Sequence, residues 1–348
     1  MVSNNQSIIY SIVIPHYNLT KGLKRCLDSI PRRPDVEVIV VDDVSSADEV
    51  QSLRHIEKQY DNVRFIYSKT KGYGGRARNI GMEAARGKYI LFSDADDFFT
   101  KELNEIFDDY VNSEVDIVFF RVNKLNEETL SPTEVTHHLN DYIDLWDTDR
   151  EKAELYLRYM FGEPWCKLVK REIITRNHVR FDEVRINNDT TFSYMVGYYS
   201  KTIGKDDRVL YNYLVRVGST SRQRDIGRLF IKIDVFGRSE LFFKAHNIPL
   251  HEDRQYLSLG RFVKKRDSAG FRKGFKQLLE LGYTLHGTRK EYSEAMSRCR
   301  MLVPIWNVLF VPDIKIKGYC LLYWFTKSLP RAFKRVFLRR TDGELRRY

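Results

Sequence analysis

Over the first 120 positions, short apolar runs alternate with stretches whose apolar residues recur at helical spacing. The runs at 8–14, 37–41, 63–67, 88–93 and 115–121 are predominantly apolar and read as strands, the fourth as buried on both faces. Between them, 19–30, 47–60, 76–86 and 101–111 read as helices. Ser45-Ser46 and Thr100 supply start residues for the second and fourth of these. Strand, helix, strand in this rhythm predicts βαβ units, hence an α/β fold with a mostly parallel, Rossmann-like sheet flanked by helices. Ligands of such sheets gather beyond the carboxyl ends of the strands.

Later segments are less regular. Residues 122–160 are polar and acidic and read as a connecting loop followed by a helix over 150–161. Residues 223–300 read as helical and basic, and 301–340 as apolar, aromatic and basic together. No internal repeat is visible.

The composition adds exclusions. The chain has 348 residues, 43% hydrophobic and 30% charged with nine prolines, which excludes a disordered or collagen-like protein. Its four cysteines are dispersed, so neither a zinc knuckle nor a disulfide framework is expected, and a reducing compartment fits. No run is long enough to span a membrane and no leader pattern opens the chain. The net charge of +11 is unevenly placed: −4 over residues 1–222 and +15 over 223–348. Two domains are therefore expected, 1–222 doing chemistry and 223–348 meeting an anionic surface.

The unusual residues fall at strand ends. Pro15-His16-Tyr17-Asn18 follows the first strand and Asp42-Asp43-Val44-Ser45 the second. A Tyr or His face can stack on a base and a carboxylate can bond a base or ribose, although both motifs also suit plain turns. Gly72-Tyr73-Gly74-Gly75-Arg76-Ala77-Arg78-Asn79 opens the third helix, where glycines, free amides and arginines suit a diphosphate. It matches neither the dinucleotide fingerprint nor a P-loop. Ser93-Asp94-Ala95-Asp96-Asp97 follows the apolar fourth strand and runs into two phenylalanines. Crowded carboxylates there are costly unless a hard divalent cation, Mg²⁺ or Mn²⁺, removes the repulsion. Asn187-Asn188-Asp189-Thr190 offers Asp189 as a general base or, equally, as a helix N-cap.

In this order the motifs resemble the catalytic domain of glycosyltransferase family 2, over about residues 8–221. The resemblance implies a GT-A fold and an inverting transfer of sugar from a nucleotide-sugar, with UDP expected, to a hydroxyl of a polysaccharide or glycolipid. By the same resemblance Pro15, Tyr17, Asn18 and Asp43 would hold the nucleoside, with Asp43 on the uracil. Arg78 and Asn79 would border the diphosphate. Asp94, Ala95 and Asp96 form the D-x-D stretch, with Asp96 and Asp94 on the metal and Asp94 toward the ribose, and Asp189 is the base. Tyr211-Asn212-Tyr213 with Arg216, Ser219, Thr220 and Ser221 resembles the family's closing segment. The family usually has Gly-Ser where this chain has Val44-Ser45, and Glu-Asp where it has Asn188-Asp189. Alternatives are a sugar-phosphate nucleotidylyltransferase, which would need a glycine-rich basic loop after the first strand, and a nucleic-acid-binding protein using the basic region, for which no motif is present and no nucleic acid is expected.

Between 314 and 341 stand eight basic residues and no acidic one, interleaved with Tyr319, Tyr323, Trp324, Phe325, Phe333 and Phe337. That mixture suits a headgroup boundary. A cytoplasmic protein peripherally bound to the inner, anionic face of the membrane is the expectation.

Overall fold

Strand β1 (Tyr10–His16) lies between two parallel neighbours, β2 (Val36–Asp42) and β4 (Tyr89–Phe92), and β3 (Val63–Tyr67) extends the parallel set beyond β2. Every residue of β2 and β4 is buried, including Glu37 and Asp42 of β2, which are held by Ser11 and His16. Helices α1 (Thr20–Asp28), α2 (Ala47–Glu57) and α3 (Tyr73–Ala84) fill the crossovers. The computed structural model describes residues 7–215, 225–250 and 254–284.

After β4 come β5 (Phe98–Phe99), α4 (Leu103–Tyr110), β6 (Ile117–Asn126), α5 (His138–Asp144), α6 (Arg150–Tyr159), β7 (Lys167–Lys170), α7 (Arg171–Arg176), α8 (Thr190–Tyr199) and β8 (Ile203–Val215). The eight strands join one sheet in the order β3-β2-β1-β4-β7-β6-β8-β5. Antiparallel β7 joins the two halves, pairing with β4 on one side and β6 on the other. The sheet is thus a parallel half continued by a mixed half, the architecture expected of a GT-A domain.

Three departures from expectation have physical causes. Helix α3 starts at Tyr73 rather than 76, because the Asp43 carboxylate accepts the Gly72 amide at 2.8 Å and the Tyr73 amide as well. The end of β2 thereby caps a helix whose own N-cap glycine has no side chain. Strand β6 runs on to Asn126 and α5 follows it within the expected loop, since β8 pairs along β6 for its whole length. Strand β8 opens with Ile203-Gly204 and continues through Lys205, Asp206, Asp207 and Arg208, polar residues that hide its first half from an apolar pattern.

Two glycines permit close approach. A Cβ on Gly81 would stand 2.3 Å from Val13, so α3 lies directly on β1. One on Gly75 would stand 1.9 Å from the Asp182 carbonyl, which brings the 181–188 segment onto α3.

Contacts divide the chain into Met1–Gln223 and Arg224–Tyr348. In the second unit, α9 (Gly227–Ala245), α10 (Arg254–Lys264) and α11 (Ser268–Glu280) share a core of Leu229, Ile233, Leu259, Phe262, Phe271 and Leu278. Asp267 caps α11 through the Gly270 amide at 2.7 Å. Among the described residues no helix is long and apolar enough to cross a membrane. The 301–340 segment and Arg216, Ser219, Thr220 and Ser221 lie outside the described residues.

Candidate active site

The carboxyl ends of β1 to β4 carry the expected motifs on one rim. Pro15 is the half-buried penultimate residue of β1, in register with Val41. His16 is 1% exposed: Nδ1 faces Asp42 Oδ1 at 2.9 Å and Nε2 accepts the Leu19 amide. Its ring is therefore part of the turn and unavailable for stacking. Tyr17 is 47% exposed, with the Lys71 ammonium 3.7 Å from its ring centroid. Asn18 bridges the first two loops, its amide donating to Ser45 Oγ and its Oδ1 accepting the Ser46 amide. Asp43 is buried, and burial holds its carboxyl above the usual range despite the Gly72 and Tyr73 amides.

Arg78 links two motifs that lie far apart in sequence. Its Nη2 pairs with Asp94 Oδ1 and its Nη1 donates to Asn188 Oδ1 at 3.0 Å, while the guanidinium lies over Phe181. Asn188 therefore offers Arg78 an acceptor without a second negative charge. Asn79, expected beside it, is spent elsewhere. Its Nδ2 donates to the Phe181 carbonyl and its Oδ1 accepts the Phe181 amide, so it fixes the 181–188 segment on α3. Ala95, between the two aspartates, is 4% exposed with its carbonyl against Gly22. It supplies spacing.

Asp94, Asp96 and Asp97 bring carboxylate oxygens within 4.8 Å of one another. Asp97 is buried, accepts the Leu214 amide at 2.8 Å, and is pushed well above the carboxylate range by burial and then by Asp96 and Asp94. A set of hard oxygen ligands under mutual repulsion fits Mg²⁺ or Mn²⁺. The loop is anchored from β8: the fully buried Tyr211 hydroxyl accepts the Asp94 amide at 2.8 Å and lies 3.2 Å from Ser93 Oγ. Arg25 holds the Asp96 carbonyl at 2.6 Å.

Asp189 occupies the N-cap position of α8, yet its side chain makes no capping hydrogen bond. Burial, followed by the charge of Glu163, pushes it up to about 6 against the opposing pull of Arg78. Lys167 clamps the neighbouring turn to α8. Its buried ammonium donates to the Phe161 carbonyl and to Ser193 Oγ, both at 2.9 Å, and burial lowers it to about 7.

A group that sequence reading missed stands beside Asp189. Glu163 lies 3.8 Å from Nε2 of both His137 and His138, and the three offer ligand atoms within 4.8 Å of one another. The Leu139 amide donates to His137 Nδ1, however, and burial pushes that ring down to about 3. The neutral ring then carries its proton on Nε2, the atom that would have to bind a cation. The trio is a carboxylate flanked by imidazoles. The only sequence signal was a His-His pair 25 residues before a glutamate.

The chain was compared with known proteins. The model of "Glycosyl transferase family 2" matches residues 11–176. The chain is 23% identical over 333 residues to the uncharacterized glycosyltransferase YibD of Escherichia coli, covering 90% of each. It is 29% identical over 213 residues to the poly(ribitol-phosphate) beta-glucosyltransferase of Bacillus spizizenii, covering 59% of this chain and 32% of that one. Among solved structures, S. aureus TarS 1-349 in complex with UDP-GlcNAc superposes with a TM-score of 0.54 at 20% identity, covering 90% of this chain and 88% of that one. At that identity the likeness is one of fold.

Proposed function

From the match of residues 11–176 to the model of glycosyltransferase family 2, we propose that the chain is a member of that family, an inverting, metal-dependent enzyme that moves a sugar from a UDP-sugar to a hydroxyl of a surface polysaccharide or glycolipid. The observation that carries this reading is the Arg78 bridge. One side chain ties Asp94 of the acidic loop to Asn188 beside Asp189, so a donor held at the first would present its anomeric carbon toward the second. UDP-GlcNAc, the ligand in the TarS complex, is the first donor to test.

The roles follow from chemistry. Asp43, Pro15, Tyr17 and Asn18 hold the nucleoside over the carboxyl ends of β1 and β2. Asp94 and Asp96 would hold the divalent ion, which when bound neutralises charge on the diphosphate. Asp189 takes the proton of the acceptor hydroxyl as its oxygen bonds to the anomeric carbon, on the face opposite the diphosphate. The bond from that carbon to the diphosphate oxygen breaks, and the electron pair leaves with the nucleotide. Arg78 is placed to balance the charge that develops there. A single displacement inverts the anomeric centre, and a carboxylate base raised to about 6 is suited to neutral pH.

The basic aromatic segment at 301–340 would hold the enzyme on the anionic inner face of the membrane, beside a lipid-linked acceptor. Mass spectrometry of nucleotides released from a panel of nucleotide-sugars, with Mn²⁺ or Mg²⁺, tests the reading and identifies base and sugar together. Release of UDP from one donor is expected, and no release from any donor refutes it.

A further inference from the structure

Three neighbouring loops on the rim share an unusual backbone. At the carboxyl ends of β1, β2 and β3, the residues Asn18, Val44 and Tyr73 have φ of 49°, 60° and 62°. Asparagine enters this left-handed region readily, whereas a β-branched valine is a genuine outlier there. The loops hold the conformation firmly. Ser45 donates to Asp42 through both its amide and its hydroxyl, and Asp42 is itself held by His16. The Asp43 carboxylate fastens the amides of Gly72 and Tyr73, so Val44 and Tyr73 each stand one residue beyond the same hydrogen bond.

The fold gains nothing visible in return. Val44 is 41% exposed and Tyr73 40%, so neither side chain fills the core, and glycine would meet the backbone requirement at Val44 without strain. Strain of this kind concentrates where a ligand uses it. Here the exposed apolar side chains flank buried Asp43, with Tyr17 beyond the first loop.

Resting on the donor-site reading above, we infer that Val44 and Tyr73 are specificity-determining residues whose side chains form an apolar wall against the nucleobase of the donor. A base is a flat apolar face with a polar edge. The wall would take the face while Asp43 takes the edge, which accounts for a valine where a glycine would be unstrained.

The inference predicts opposite signs for stability and binding. Val44→Gly should leave the melting temperature unchanged or higher by a few degrees, because relief of strain outweighs the added freedom of the unfolded chain. It should weaken UDP binding in the presence of Mn²⁺ about fivefold, equivalent to roughly 1 kcal/mol, as about half the burial of a valine side chain is lost. Val44→Asn retains a side chain at home in left-handed backbone but removes the apolar wall, and should weaken UDP equally, which covers the case of a glycine variant that folds poorly. Tyr73→Gly should also weaken UDP. Titration calorimetry and thermal unfolding read all three. A wild type that binds none of UDP, CDP or GDP with Mn²⁺ overturns the donor-site reading itself. A wild type that binds UDP while Val44→Gly and Val44→Asn bind it equally well, or a Val44→Gly protein that melts clearly lower, overturns this inference alone.

Discussion

Replacing Asp189 by asparagine separates a base from a structural cap, because the two roles predict opposite changes in stability. The aspartate is held up at about 6, by burial first and by the Glu163 charge second, from an ordinary 3.8. A carboxyl raised in the folded state binds its proton more tightly there than in the unfolded chain, so the fold loses stability as pH rises from about 4 through 6 and the loss is complete above that window. At 1.36 kcal/mol per unit the ceiling is about 3 kcal/mol at neutral pH. Asp189 is half-buried rather than sealed, so solvent screening brings the figure below that ceiling. Asp189→Asn keeps the shape and removes the ionisation. Its stability relative to wild type should therefore be greater at pH 7.5 than at pH 4 by about 1–3 kcal/mol, read by urea unfolding at the two pH values. Transfer should fall by roughly 10²-fold or more, while wild-type activity should decline as pH drops below about 6, where Asp189 takes up its proton. A variant whose relative stability is the same at both pH values shows that burial does not oppose ionisation. One that also transfers sugar near the wild-type rate refutes the base assignment.

Other outcomes follow from the same geometry. Asp96→Ala should fold normally and lose Mn²⁺-dependent UDP binding by calorimetry; retained affinity removes Asp96 from the metal. Tyr211→Phe leaves the ring in place between Trp165 and Phe99, with centroids at 5.4 Å from each, but strands the Asp94 amide, at a cost of about 1–3 kcal/mol. UDP affinity with Mn²⁺ should fall by about tenfold, and an unchanged affinity means the hydroxyl does not position the loop. Truncation at Met301 should abolish sedimentation with anionic vesicles, which in the full chain should weaken with salt; equal sedimentation of the two proteins excludes the 301–340 segment as the anchor.

The parts legible in the sequence are those in which local pattern and burial coincide. Strands β1, β2 and β4 are buried along nearly their whole length and half-buried β3 extends them, so their largely apolar runs located all four within a few residues. Strand β7 is only four residues long and begins with the buried Lys167, and β8 carries the four polar residues Lys205 to Arg208 in its first half, so neither carried a readable signal. The acidic loop and Asp189 could be nominated from motif order. What Asn79 and Ala95 do could not, because it is decided by the Phe181 backbone and by Gly22, partners distant in sequence. Val44 was visible as a departure from the family's glycine, but its strained φ came only from the loop that holds it.

The anchoring of the acidic loop by β8 has a consequence for the order in which the molecule can be completed. The Asp94 amide donates to the Tyr211 hydroxyl and the Asp97 carboxylate accepts the Leu214 amide, each across 117 residues of chain. During synthesis from the N-terminus, β1 to β4 can form from short-range contacts while the loop beyond β4 still lacks both partners. Release of a chain ending at 176, where the family match stops, would therefore yield the whole acidic motif without its support and without Asp189. The shortest fragment able to hold the loop in its finished form must extend at least through Leu214, near the end of β8.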